Sequence, residues 1–213
     1  MDLWTHWLQS ALGYLQVHFG LSEAVAIIAL TLLARAVLLP VSLTSAYRMQ
    51  LNRKAIARLK PQLDALREVH KDDPSEIARR TMALYRENGI AFFDRLSLLN
   101  IGSQSMLGLG LFRTLRQMVF HSRFVWITSL ARPDVVLTAL VAVLMAVGMA
   151  LMPGMSPSTS SLLMIAVPIV LSVIALAALP SALGIYWAAS NSATIVQTLA
   201  LRGLLARNAR SPA

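Results

Sequence analysis

The chain has 213 residues, 56% of them hydrophobic, with a mean hydropathy of +0.62 and a formal net charge of +9. That is too apolar for an ordinary soluble domain, and several runs approach the ~20 residues that cross a hydrocarbon core, so the chain reads as one polytopic membrane domain. With no cysteine, disulfides, thiolate catalysis, Cys-based zinc sites and iron–sulfur clusters are excluded.

Residues 1–21 are not a conventional signal peptide, because no Lys or Arg precedes Arg35. Trp4, Leu8, Leu12, Leu15 and Phe19 instead recur at helical spacing among His6, Gln9, Ser10, Gly13 and Gln16. That pattern predicts an interfacial amphipathic helix anchored by Trp. Five apolar segments then follow as candidate spans, at about 22–43, 96–112, 135–152, 162–179 and 182–201. The second is short and rich in polar residues and Gly. The fourth contains Pro168, which a span tolerates when neighbours satisfy the freed carbonyl. Only Pro180 and Ser181 part the last two, which predicts a tight antiparallel hairpin. No internal repeat is visible, which argues against an inverted-repeat transporter.

Between the first two spans, residues 50–88 predict a soluble helical hairpin. Leu51, Ala55, Leu59, Leu63, Leu66 and His70 line one face of its first arm. In "DDPSE", residues 72–76, Asp73 can cap the second arm, Pro74 suits its first position and Glu76 would complete a capping box. Ile77, Thr81, Leu84 and Tyr85 form the facing stripe. Lys and Arg set the orientation: residues 44–95 carry eleven and the tail after Leu201 three, all on one side of a five-span chain, against four on the other. The N-terminus is therefore expected outside and the C-terminus in the cytoplasm.

The first span carries a lone cation, Arg35, in "IIALTLLARAVLLPVSL" (27–43). A central Arg costs a span roughly 2.5–3.5 kcal/mol, and each Leu, Ile or Val returns about 0.3–0.6. Ten such residues in 25–41 let the helix insert with a modest margin. Arg48 lies too far along the helix for Arg35 to share its boundary by snorkelling, so Arg35 needs a partner or water within the membrane. No Asp or Glu lies in a span interior. Thr31 and Ser42 share its face. Asn100, Ser103, Gln104 and Ser105 cluster in the second span, and Tyr186, Trp187, Ser190, Asn191, Thr194, Gln197 and Thr198 form a stripe in the fifth. The expectation is a water-filled concavity lined by hydroxyls and amides. Such residues also serve as interhelical glue, a role an unpaired guanidinium fills poorly.

Four stretches, in order, resemble the YidC/Oxa/Albino family of membrane protein insertases. They are "ARAVLLPVSLTSAYRM" with its Arg-x4-Pro, "LKPQLDALREVHKDDPSEIARRTMALYREN", "MSPSTSS", and "LPSALGIYWAASNSATIVQTLALR" with its Pro-Ser-x-Leu and Ser-Asn pair. The likeness covers about residues 22–202. It implies an all-α polytopic protein: a five-transmembrane-helix insertase core over 22–203, a cytoplasmic hairpin and a polar intramembrane groove. A short basic tail would occupy 204–213. Nascent membrane proteins would pass from the cytoplasm into the bilayer through that groove. By position Arg35 matches the family's groove arginine, and Thr31 and Trp187 fall where client contacts are expected. Asn100, Gln104, Tyr186, Ser190, Asn191 and Thr194 complete the candidate lining. The family's Asn-Pro-Leu-x-Gly entry to the second span is replaced by "NGIAFFDRLSLLN", and the large external domain of some relatives is absent, so the chain resembles a short, divergent member.

The expected function is insertase and chaperone in a bacterial inner membrane, without catalytic residues, metal or cofactor. Nascent clients and the lipid bilayer are the expected partners, with no specific nucleic-acid site. The ribosome and a secretion channel are further partners with only a weak basis in the sequence, and with three arginines in the tail ribosome contact through it should be weak. The alternative is a small-solute transporter or channel subunit, which would share the cavity but should show repeats or intramembrane acids. An intramembrane enzyme lacks its base: His6, His18, His70 and His121 lie outside the span interiors, and no HExxH, GxSxG or phosphate loop occurs.

Overall fold

The computed structural model describes residues 2–90, 95–152 and 159–210, which form seven helices. These are α1 (Asp2–Phe19), α2 (Glu23–Val69), α3 (Pro74–Glu87), α4 (Arg95–Gln117), α5 (Val135–Ala150), α6 (Thr159–Ala178) and α7 (Ser181–Arg210). Among the described residues there is no β-strand, only an isolated bridge between Phe124 and Ile127. Most of the loop "PGMSPSTSS" and part of the entry to the second predicted span lie outside them.

The first predicted span and the first arm of the hairpin are one helix of 47 residues. Pro40 and Pro61 each remove a backbone donor, yet neither ends it. The intervening sequence is rich in Ala, Leu, Arg, Lys and Gln, good helix formers without a Gly or a cap to stop them. Helix α7 likewise runs through the basic tail to Arg210. Among the described residues only α2 is long and apolar enough to cross a membrane; the apolar segments Val135–Ala150 and Ile165–Ala178 are shorter.

Two compact units divide the chain, one of Met1–Pro40 with Gly102–Ala213 and one of Val41–Ile101. In the second unit Leu59, Leu63 and Ile90 are buried, with Ala55, Ile56, Leu84 and Tyr85 packed against them. Leu51, expected on this face, is exposed. Asp73 caps α3 as the sequence indicates, its Oδ1 accepting from the Ser75 and Glu76 backbone N–H groups, each at 3.0 Å. The capping box is not completed. The Asp73 N–H donates to the His70 carbonyl, and the Glu76 carboxylate turns to Arg79 and Arg80 instead. A cation one turn away is a stronger donor to a carboxylate than an amide already committed to a turn.

The core of the first unit joins Leu8 and Leu12 of α1, Ala26 and Ile27 of α2, Leu111 and Leu115 of α4, and Ala182 and Leu183 of α7. Four of the five stripe residues on α1, Trp4, Leu8, Leu12 and Leu15, thus pack on protein, while the fifth, Phe19, is exposed along with Leu3, Trp7, Tyr14 and Val17. Phe120, Ile127 and Leu130, from the connection between α4 and α5, complete this core. That connection is tied to three helix ends. The Glu23 carboxylate accepts from the Ser122 hydroxyl at 2.7 Å and from the Ser122 and His121 N–H groups. The Arg132 carbonyl accepts from the Ser181 hydroxyl and N–H. Asp134 caps α5 and accepts from the Trp126 indole at 3.3 Å. Helices α5 and α7 meet where Gly184 leaves room for Leu137; a Cβ there would stand 2.6 Å from Leu137 Cδ2.

Candidate functional site around Arg35

Arg35 sits three turns into α2, half-buried, and its guanidinium bridges three helices of the first unit. Nη1 donates to Gln104 Oε1 on α4 at 2.7 Å, and Nη2 donates to Ser190 Oγ on α7. Both acceptors are neutral, so the group keeps its full charge while two of its five donors are fixed in direction. Charge-assisted bonds to neutral acceptors contribute about 1.5–3 kcal/mol each, comparable to the roughly 2.5–3.5 kcal/mol that a central Arg costs a span. The Tyr186 hydroxyl also approaches Ser190 and the guanidinium.

The remaining sequence candidates divide. Thr31 is fully buried, and its hydroxyl donates to the Ile27 carbonyl of its own helix at 2.7 Å. Asn191 Nδ2 donates to the Trp187 carbonyl, and Thr194 Oγ1 to the Ser190 carbonyl, at 2.8 and 3.0 Å. Such i−4 back-bonds satisfy polar groups within one helix. Trp187 packs against the core cluster. Asn100 belongs to the other compact unit. The structure therefore gathers Arg35, Gln104, Tyr186 and Ser190, and turns Thr31, Asn191 and Thr194 toward their own backbones.

Beside Arg35, α2 and α7 line a concavity of about 260 Å³ with Leu32, Ala36, Leu39, Ser192, Ala193, Val196 and Gln197. Ser192 escaped the sequence reading, since it lies off the face shared by Ser190, Thr194 and Gln197. A second, more apolar concavity of about 440 Å³ lies among α1, α2 and α4, with Trp4, Trp7 and Ser103 in its wall. Among the described residues no three His, Asp or Glu side chains gather to hold a metal ion.

The outer surfaces are as informative as the site. On α6, Leu163, Val167, Val170, Leu171 and Ile174 are all exposed, and on α5 Val135, Val136, Leu140, Val143 and Val147. Apolar faces of this extent do not remain in water, so the fold is that of a helical membrane protein. The chain belongs to the 60Kd inner membrane protein family, whose profile matches residues 14–208. The four motifs that resemble the YidC/Oxa/Albino insertases thus sit within a family match over most of the chain.

A membrane protein insertase YidC of Ralstonia nicotianae is 31% identical over 212 residues, covering 97% of this chain and 36% of the relative. One of Staphylococcus carnosus is 28% identical over 225 residues, covering 99% and 75%. One of Clostridium tetani is 28% identical over 187 residues, covering 86% and 83%. The chain therefore spans about a third of the first relative's length and three quarters of the second's.

Proposed function

We propose that the chain is a membrane protein insertase and chaperone that passes nascent membrane proteins from the cytoplasm into the bilayer. Five segments, from α2, α4, α5, α6 and α7, span the membrane, with the N-terminus outside and the C-terminus in the cytoplasm. The fourteen-to-four distribution of Lys and Arg supports this orientation. The side of α2, α4 and α7 that holds Arg35 forms a hydrated groove. A client's translocated segment meets polar groups there instead of hydrocarbon, which lowers the cost of moving it. No bond is made or broken.

One observation carries the reading. Arg35 lies in a helix long and apolar enough to cross a membrane, yet its partners are an amide and a hydroxyl rather than an acid. An arginine kept for packing would be better neutralised. One kept charged attracts Asp or Glu in a translocating segment.

The test is complementation. A host depleted of its own insertase receives this chain or Arg35→Ala, and insertion of a single-span client is scored with an acidic or a neutral translocated segment. The parent should insert both. Arg35→Ala should accumulate normally and lose the acidic client by tenfold or more, about 1.4 kcal/mol. Equal insertion of both clients by Arg35→Ala would show that the charge is not used. Failure of Arg35→Ala to accumulate would make Arg35 structural.

A further inference from the structure

We infer that Gln104 and Ser190 are positioning residues that set how strongly the site prefers acidic clients, because they aim the Arg35 guanidinium without neutralising it. This rests on the proposed role of Arg35 as the charge that meets an acidic segment.

The geometry has three parts. The fork of Arg35 is held from two other helices, by Gln104 of α4 on Nη1 and Ser190 of α7 on Nη2. Ser190 is buried, 6% exposed, so its end of the clasp is shielded from water. Three of the five guanidinium donors are not needed by the clasp and can meet a further acceptor. Held this way, the cation keeps one orientation at little entropic cost to an arriving ligand.

Discrimination is then a difference. A neutral segment offers Arg35 acceptors of the kind it already has and gains little by approaching. A carboxylate offers a charged acceptor, about twice as strong, and can take the fork in parallel bonds, displacing either neutral partner. The size of that gain depends on what stands at position 104. Glu differs from Gln there by one atom, an oxygen for the amide nitrogen, and at 2.7 Å it would form an internal ion pair that competes with every client acid. A side chain of the same length that accepts poorly would leave Nη1 for the client. Gln is the residue that orients without quenching.

The experiment measures one ratio: insertion of an acidic client over that of a neutral client differing only by Asn and Gln for Asp and Glu. It uses the full chain in the complementation host, normalised to the amount of each variant. A merely structural role for Gln104 would lower both clients and leave the ratio alone. Gln104→Glu should reduce the ratio about tenfold, towards the value of Arg35→Ala, while neutral insertion persists. Gln104→Met should raise it a few fold, because a thioether is a weak acceptor. If neither variant moves the ratio, the inference is wrong. If Gln104→Glu fails to accumulate, Gln104→Met decides alone, and an unchanged or lower ratio overturns the inference. A parent ratio equal to that of Arg35→Ala would overturn the role of Arg35 itself. An Arg35-dependent ratio indifferent to position 104 would overturn only the role of Gln104.

Discussion

Replacing Gly110 by Ala should release α1 from the bundle. A Cβ at this position would lie 2.1 Å from Trp4 Nε1, 2.6 Å from Trp4 Cδ1 and 3.0 Å from Leu8 Cδ1. The two Trp4 distances are ones at which a carbon cannot sit, and the Leu8 contact is tight, so the indole must leave its notch or the helices must part. Overpacking of this kind costs about 1–3 kcal/mol. A departing indole also gives up its N–H bond to the Met106 carbonyl, 3.3 Å long, worth roughly 0.5–1.5 kcal/mol. Ala recovers some 0.5–1 kcal/mol over Gly inside a helix, so the net loss of α1 docking is about 0.5–4 kcal/mol.

The chain has no cysteine, so a single introduced thiol reports without background. Ala11, packed against the core, is a mild site for it. Maleimide labelling of an Ala11→Cys protein in membranes should be slow, and faster by about 2-fold to nearly 1,000-fold once Gly110→Ala is added. In a Trp4→Ala background the same Gly110→Ala change should be neutral or favourable, giving a coupling of at least ~1 kcal/mol. If Gly110→Ala accelerates labelling equally with and without the Trp4 ring, or not at all, the notch is not what holds α1.

Two further outcomes follow from the polar ties. Glu23→Ala removes the acceptor shared by His121 and Ser122, so residues 120–130 should lose hydrogen-exchange protection by about 1–3 kcal/mol, with Glu23→Gln losing less; unchanged protection would refute the tie. In the hairpin, hydrogen bonds from Arg79 and then Arg80 hold the Glu76 carboxyl down at about 2 from the usual 4.5, and the Ser75 hydroxyl holds Asp73 below its ordinary value. A lowered carboxyl stabilises the fold above its unfolded pKa, so the first turn of α3 should hold at neutral pH, weaken below about 4.5 and lose this contribution as pH falls through about 2. The carboxyl chemical shift of Glu76 reads this directly, and a midpoint near 4.5 would contradict the pairing.

Much of the site was legible in the sequence because membrane burial is a one-dimensional constraint. A lone Arg in an apolar helix, with no acid in the interior of any predicted span, already implied neutral solvation, and Gln104 and Ser190 were among the few groups able to supply it. The hairpin was legible for a similar reason, since an Asp-Pro start and two apolar stripes are local signals. Other features depended on the fold. The stripe on α1 reads in the sequence as a membrane-surface face, and only the fold shows Trp4, Leu8, Leu12 and Leu15 packed on protein, with Trp4 in the notch at Gly110. Thr31, Asn191 and Thr194 carry the same hydroxyls and amides as the residues on Arg35, but a helix offers each a carbonyl four residues back, and rotation about its axis decides which take it. Glu23 and Ser181, to which the sequence assigned no such partner, tie the connection between α4 and α5 to the ends of α2 and α7. Composition and periodicity set which faces are apolar and where a charge must be solvated. Which group solvates it is a matter of how three helices pack, a choice no single helix encodes.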